Sequence, residues 1–97
     1  MMQIRSRKGY RIKIKFIEHA KERRIERGAS EEEVKEVLFL GTDITAKKGR
    51  KAKEMIFPYE EKWIGRVYPQ KKIVVVYKQD KDEALVITVK VFYGQWR

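Results

Sequence analysis

His19, Arg23 and Arg27 recur every fourth residue in the segment HAKERRIERG, residues 19–28. At about 100° per residue on a helix, the three project within about 80° of one another. One ridge would then carry an imidazole and two guanidiniums. Imidazole exchanges a proton near neutral pH. Guanidinium stays charged and grips phosphate with two parallel N–H donors. Such a set suits metal-free cleavage of an RNA phosphodiester, in which one group deprotonates the 2′-OH and cations stabilise the phosphorane. The same spacing serves two plainer ends. The cations can hold phosphate without chemistry, or Arg23 and Arg27 can pair with Glu18, Glu22, Glu26 or Glu31–Glu33 while His19 caps or packs. Spacing alone leaves all three open.

Other cations extend the pattern. Tyr10–Phe16 alternates strictly, with Tyr10, Ile12, Ile14 and Phe16 facing one way and Arg11, Lys13 and Lys15 the other. That is a strand with one buried and one cationic face. Lys13 and Lys15 either contact phosphate or protect an edge strand from aggregation. Residues 42–53 hold five cations, Lys47, Lys48, Arg50, Lys51 and Lys53. They read as a mobile basic loop in which Lys48, Arg50 and Lys51 tether phosphate or are simply solvated. Thr88 and Lys90 share one face of a later strand, and Arg66 on a neighbouring strand would extend a phosphate track. Trp63 and Trp96 offer base-stacking surfaces, against the alternatives of core packing for Trp63 and cover of a core edge, or a partner contact, for Trp96.

The composition favours a polyanionic partner. Lys+Arg number 24 against 14 Asp+Glu, a net charge of +10 on 97 residues. Charged residues make up 39% of the chain, where about 25% is usual. The Lys- and Glu-rich, cysteine-free composition is that of a thermophile, which explains the charged fraction but not its sign. Without cysteine, disulfide scaffolds, thiol chemistry and zinc fingers are excluded, and a single histidine excludes a multi-histidine metal site. No metal or other cofactor is expected. The apolar runs are too short to span a membrane. The basic start is followed by no apolar stretch of a secretory signal, so the expected address is the cytoplasm.

The elements that must position these residues follow in order. The chain reads as one domain, residues 1–97, with 1–9 as a basic lead-in. A helix is expected over Ile17–Arg27 with a thin apolar face of Ile17, Ala20 and Ile25, ended by Gly28. Ser30 and Glu33 form a capping box for a second helix. Its core stripe is Val34, Val37, Leu38 and Phe39 or Leu40, and Gly41 ends it. Strands are expected over Glu54–Pro58, Trp63–Tyr68, Ile73–Lys78 and Leu85–Tyr93, with turns at Tyr59–Lys62, Pro69–Lys71 and Gln79–Glu83. Ile73–Lys78 reads as a central strand covered on both faces. On Leu85–Tyr93, Leu85, Ile87, Val89 and Val91 face one way, and Val86, Thr88, Lys90 and Phe92 the other. The fold class is α+β: a two-layer sandwich with an N-terminal strand, a two-helix hairpin and an antiparallel sheet of about four strands.

HAxxRxxxRG followed by the capped Ser-Glu-Glu-Glu-Val helix start resembles a bacterial and archaeal family of uncharacterised small domains related to the RelE/ParE toxin superfamily. Leu85-Val86-Ile87-Thr88-Val89 is similar to the start of that family's distal strand, and Tyr93 stands in for its later aromatic. The resemblance runs from about Ile14 to Tyr93. Arg24, at a position usually apolar, and Ala29, at one usually Ile, depart from it. The resemblance implies a RelE-like fold and a toxin-type RNA-binding protein, with metal-independent cleavage of mRNA, free or on the ribosome. His19 would be the general base or acid, Arg23 and Arg27 would hold the scissile phosphate, and Tyr93 would be a second proton-transfer group. It also implies a cognate antitoxin covering the basic face of a monomer or homodimer. The alternative is a non-catalytic nucleic-acid or protein-binding module, including a toxin acting on a protein such as gyrase.

Overall fold

The computed structural model describes residues 13–96. The lead-in at 1–9, and residues 10–12 of the expected first strand, lie outside the described residues. Seven elements follow: β1 (Lys13–Phe16), α1 (Glu18–Arg27), α2 (Glu31–Leu40), β2 (Thr42–Ile44), β3 (Lys51–Trp63), β4 (Arg66–Asp80) and β5 (Glu83–Gly94). They form one five-stranded mixed sheet in the order β1-β5-β4-β3-β2, with both helices on one face. β1 runs parallel to β5, and the other neighbours are antiparallel. The α+β order expected from sequence is present, with β1 as an edge strand added to a four-stranded meander.

The β-branched run of β4 occupies the sheet centre. Ile73 and Val75 point to the helices and join Val34 and Val37 of α2 and Val86 and Val89 of β5, all fully buried. α2 starts as its residues predict: Ser30 Oγ accepts from Glu33 N at 3.0 Å, and the Glu33 carboxylate accepts from Ser30 N at 3.0 Å. Leu38 packs on the core, whereas Leu40 is exposed. α1 differs more. Ala20 is its only buried residue, and Ile25, expected on the apolar face, is 66% exposed. Arginines hold this helix instead. Arg24 Nη1 donates to Ala29 O at 2.8 Å, and its side chain is mostly buried.

Several strand expectations need correction. Tyr59–Lys62 and Pro69–Lys71 are not turns. β3 and β4 run on as one long hairpin to a two-residue turn at Ile64-Gly65, where both φ angles are positive, as the twist of such hairpins demands. A register shift between Pro58 and Glu61 interrupts the ladder opposite Pro69, and a bulge is where a sheet tolerates a residue without an N–H. The 42–53 segment is not all loop, because Thr42–Ile44 pairs with Ala52–Glu54 and only residues 45–50 connect the strands. On β5, Val76 faces Thr88 while Tyr77 faces Val86, so Ile87 is an extra residue. The bulge resets the alternation: Val86 and Val89, three apart, both reach the core. Ile87 does not share a face with Leu85 and Val89 in the simple way expected. The helices cover one face of Ile73–Lys78; on the other, Val74 is buried and Val76 half-buried beside the 45–50 connection, so the expected double cover holds there in part.

Candidate nucleic-acid interface

Beyond the Ile87 bulge, alternation puts Thr88, Lys90 and Phe92 on the face away from the helices, beside Val76, Val74 and Lys72 of β4. Lys13 and Lys15 of β1 lie level with Glu83 and Leu85, while Ile14 and Phe16 pack on the core. The two lysines therefore belong to the open face. The 45–50 connection folds against the same face. Its Lys47 and Arg50, together with Val74, Val76, Thr88 and Lys90, line a groove of about 540 Å³. The floor is aliphatic and the rim cationic. Two carboxylates on this face are occupied: Glu83 pairs with Lys15 at 3.0 Å and Glu54 approaches Lys72 at 3.9 Å. Lys47, Arg50 and Lys90 make no ion pair among the described residues. Unneutralised cations around a low-dielectric floor concentrate positive potential there.

Arg27 connects the helical ridge to this face. β1 pairs with β5 only through Val86, so no strand covers the next part of β5 among the described residues. Arg27 Nη1 donates to the Val89 carbonyl at 2.8 Å on that uncovered stretch. Arg27 also lines a notch of about 210 Å³ with Lys90, Val91 and Phe92.

The remaining residues of the sequence-derived site lie elsewhere. Arg23 pairs with Glu26 at 2.9 Å in a half-exposed helical bridge, and His19 is exposed in the first turn of α1. Lys48 is exposed in the connection. Lys51 lies opposite Tyr77, hence on the helix-bearing side of the sheet. Arg66 begins β4 at the distal hairpin, with its guanidinium 5.9 Å from the Tyr68 ring.

Tyr93 is built into the helix end. Its hydroxyl donates to Arg27 O at 2.6 Å, and its ring stacks on Trp63 with centroids 4.6 Å apart and an interplanar angle of 16°. Tyr59 tilts against it at 5.1 Å. Burial, then the neighbouring Tyr59 and the Glu33 charge, push the phenol up to about 12. Eight residues of helix separate His19 from the carbonyl that Tyr93 holds, about 12 Å along the axis. The structure thus brings Arg27 to Lys90 but does not bring Tyr93 to His19.

A pH dependence follows from that phenol. Folding raises it above its ordinary value of 10.0, so its contribution is fully present below that pH and is lost as pH climbs through about 12. Tyr77, raised by burial and by Asp43, acts in the same sense. We expect urea midpoints to fall across this alkaline window, and to fall less steeply in Tyr93→Phe. An equal slope in that variant would show that Tyr93 does not carry the effect.

A family model described as Domain of unknown function (DUF4258) matches residues 16–91. The chain belongs to this family. The DUF4258 match takes in α1, α2 and β2–β4, and on β5 it includes Thr88 and Lys90. Lys13, Lys15, Phe92 and Tyr93 lie outside it. No curated protein and no solved structure matches the chain.

Sequence reasoning passed over two participants, Lys72 and Phe92. Lys47 was legible as part of the basic Lys47–Lys53 tether, but nothing local says which side of the sheet the connection crosses. Phe92 carried a usable signal, its even spacing from Thr88 and Lys90.

Proposed function

We propose that this DUF4258 domain is a RelE-like RNA-binding protein that contacts its ligand on the open face of the sheet. The observation that carries the reading is the convergence there of Lys47, Arg50 and Lys90, unpaired among the described residues, with Thr88 between them and Lys13 and Lys15 alongside. Lysine and arginine meet phosphate without any proton transfer. Each phosphate neutralised releases counterions, so affinity falls with salt, with a log–log slope of about −0.7 per contact on a single strand. In the toxin setting implied by the RelE/ParE resemblance, an acidic antitoxin would cover the same cations.

Binding fits the geometry better than cleavage does. A phosphodiester needs its acid, base and phosphate ligands around one phosphorus. His19 and Tyr93 attend opposite ends of α1, Arg23 is engaged with Glu26, and Arg27 lies about two turns of helix from His19.

Labelled single-stranded RNA incubated with the protein in EDTA, beside His19→Ala, separates the two. The expected result is salt-sensitive retardation with no product, unchanged by the substitution. Product from the wild type but not from the variant would replace binding with metal-independent cleavage through His19. Neither retardation nor product would overturn RNA as the ligand in favour of a protein target.

A further inference from the structure

Phosphate contact needs no aromatic surface, yet Phe92 stands in the middle of the cationic band and is 46% exposed. One exposed ring is ordinary on a protein surface; its surroundings here are not. Across the strand, Lys72 holds its ammonium 5.9 Å from the Phe92 centroid and 5.1 Å from the Trp96 centroid. Trp96 is fixed beside this group by its backbone N–H, which donates to Gln70 Oε1 at 2.5 Å. Lys90 precedes Phe92 by two residues on the same face, a step of about 6.7 Å along the strand. At the sheet edge the notch between Arg27 and Lys90 is walled by Phe92 itself. The Phe92 ring thus has the Lys72 ammonium over one face, leaving its other face for a base, with Arg27 and Lys90 beside it at the sheet edge.

Phosphates alone would be satisfied equally by a duplex. A duplex keeps its bases stacked inside, whereas a single strand can splay a base onto an aromatic side chain. We infer that the ligand form is single-stranded RNA, with one base lying on the Phe92 ring and the adjoining phosphate in the notch between Arg27 and Lys90. This rests on the RNA reading above and adds the strandedness of the ligand to it. Phe92 and Arg27 then have different roles: the ring selects the unpaired base, and the guanidinium, held in place by Val89 O, presents charge at a fixed position.

The test compares a short oligouridylate, a duplex RNA of equal length, and heparin, each titrated by fluorescence anisotropy against wild type, Phe92→Ala, Phe92→Tyr and Lys90→Gln. Phe92 is exposed, so its truncation spares the core. Loss of one stacked base is expected to weaken oligouridylate binding roughly tenfold or more. Heparin and duplex should be left within about twofold, and Phe92→Tyr should restore single-strand binding. Lys90→Gln should weaken all three ligands. If Phe92→Ala leaves oligouridylate binding unchanged, or weakens heparin equally, the stacking inference is overturned while RNA binding through the cations stands. If wild type ignores oligouridylate and duplex alike, both fall.

Discussion

Glu33→Ala is expected to lower the unfolding free energy by about 3–5 kcal/mol, because it strands a buried charge. The Lys71 side chain is 7% exposed, and its ammonium has two partners: Glu33 Oε1 at 2.9 Å and the Gly28 carbonyl at 2.8 Å. The same carboxylate accepts from Ser30 N. Truncation therefore removes the counter-charge of Lys71 and half of the α2 capping box together. A domain of this size has about 5–15 kcal/mol in hand, so the variant should survive with a narrow margin. Urea unfolding should show the midpoint falling with the slope unchanged. Adding Lys71→Met to Glu33→Ala should recover part of the loss, since an apolar side chain in that place leaves no charge unpaired. A double variant less stable than Glu33→Ala alone would mean that the Gly28 contact, not the ion pair, is what Lys71 contributes.

Gly28→Ala is expected to cost about 2–4 kcal/mol, from two sources. Gly28 has φ 85°, in the left-handed region where a Cβ is disfavoured. That Cβ would also stand 2.5 Å from the Tyr93 hydroxyl and 3.1 Å from the Trp63 ring. The two sources can be separated. Tyr93→Phe removes the nearest atom, so Gly28→Ala should cost less in a Tyr93→Phe background than in the wild type. Equal costs in the two backgrounds would assign the whole effect to backbone conformation. The glycine matters beyond helix termination. It lets the α1–α2 turn approach the aromatic stack, which in turn places Arg27 at the edge of β5.

Local chemistry made much of this fold legible. Gly28 and the Ser30–Glu33 box delimit the helices by hydrogen-bond needs that any environment would impose. The alternation of Tyr10–Phe16 fixed the cationic side of β1 as far as it is described. What failed was decided at longer range. Pro58 and Pro69 read as strand breakers, but a register shift lets the sheet continue past both. The Ile87 bulge depends on how β5 meets β4, and no residue type announces it. Lys71 and Lys72 are indistinguishable in sequence, yet one is buried against Glu33 and the other lies on the open face between two aromatic rings. Arg50 and Lys51 show the same limit within the candidate site. They are adjacent, yet Arg50 ends the connection that lines the open-face groove while Lys51, the first residue of β3, lies opposite Tyr77 on the helix-bearing side. Thr88, Lys90 and Phe92 were grouped correctly because period-two spacing survives on their side of the bulge.

The central claim concerns where the positive charge acts, not how much of it there is. Two variants with the same charge loss test it: Lys90→Gln with Arg50→Gln on the open face, and Lys21→Gln with Lys51→Gln on the helix-bearing side. Each is titrated with labelled single-stranded RNA over a range of salt. The open-face pair should lose most of the affinity, and its log–log salt slope should shrink by about 1.4, two phosphate contacts at about 0.7 each. The helix-side pair should keep the wild-type slope. Equal losses in both variants would mean that RNA responds to net charge alone, and would contradict an interface on the open face of the sheet.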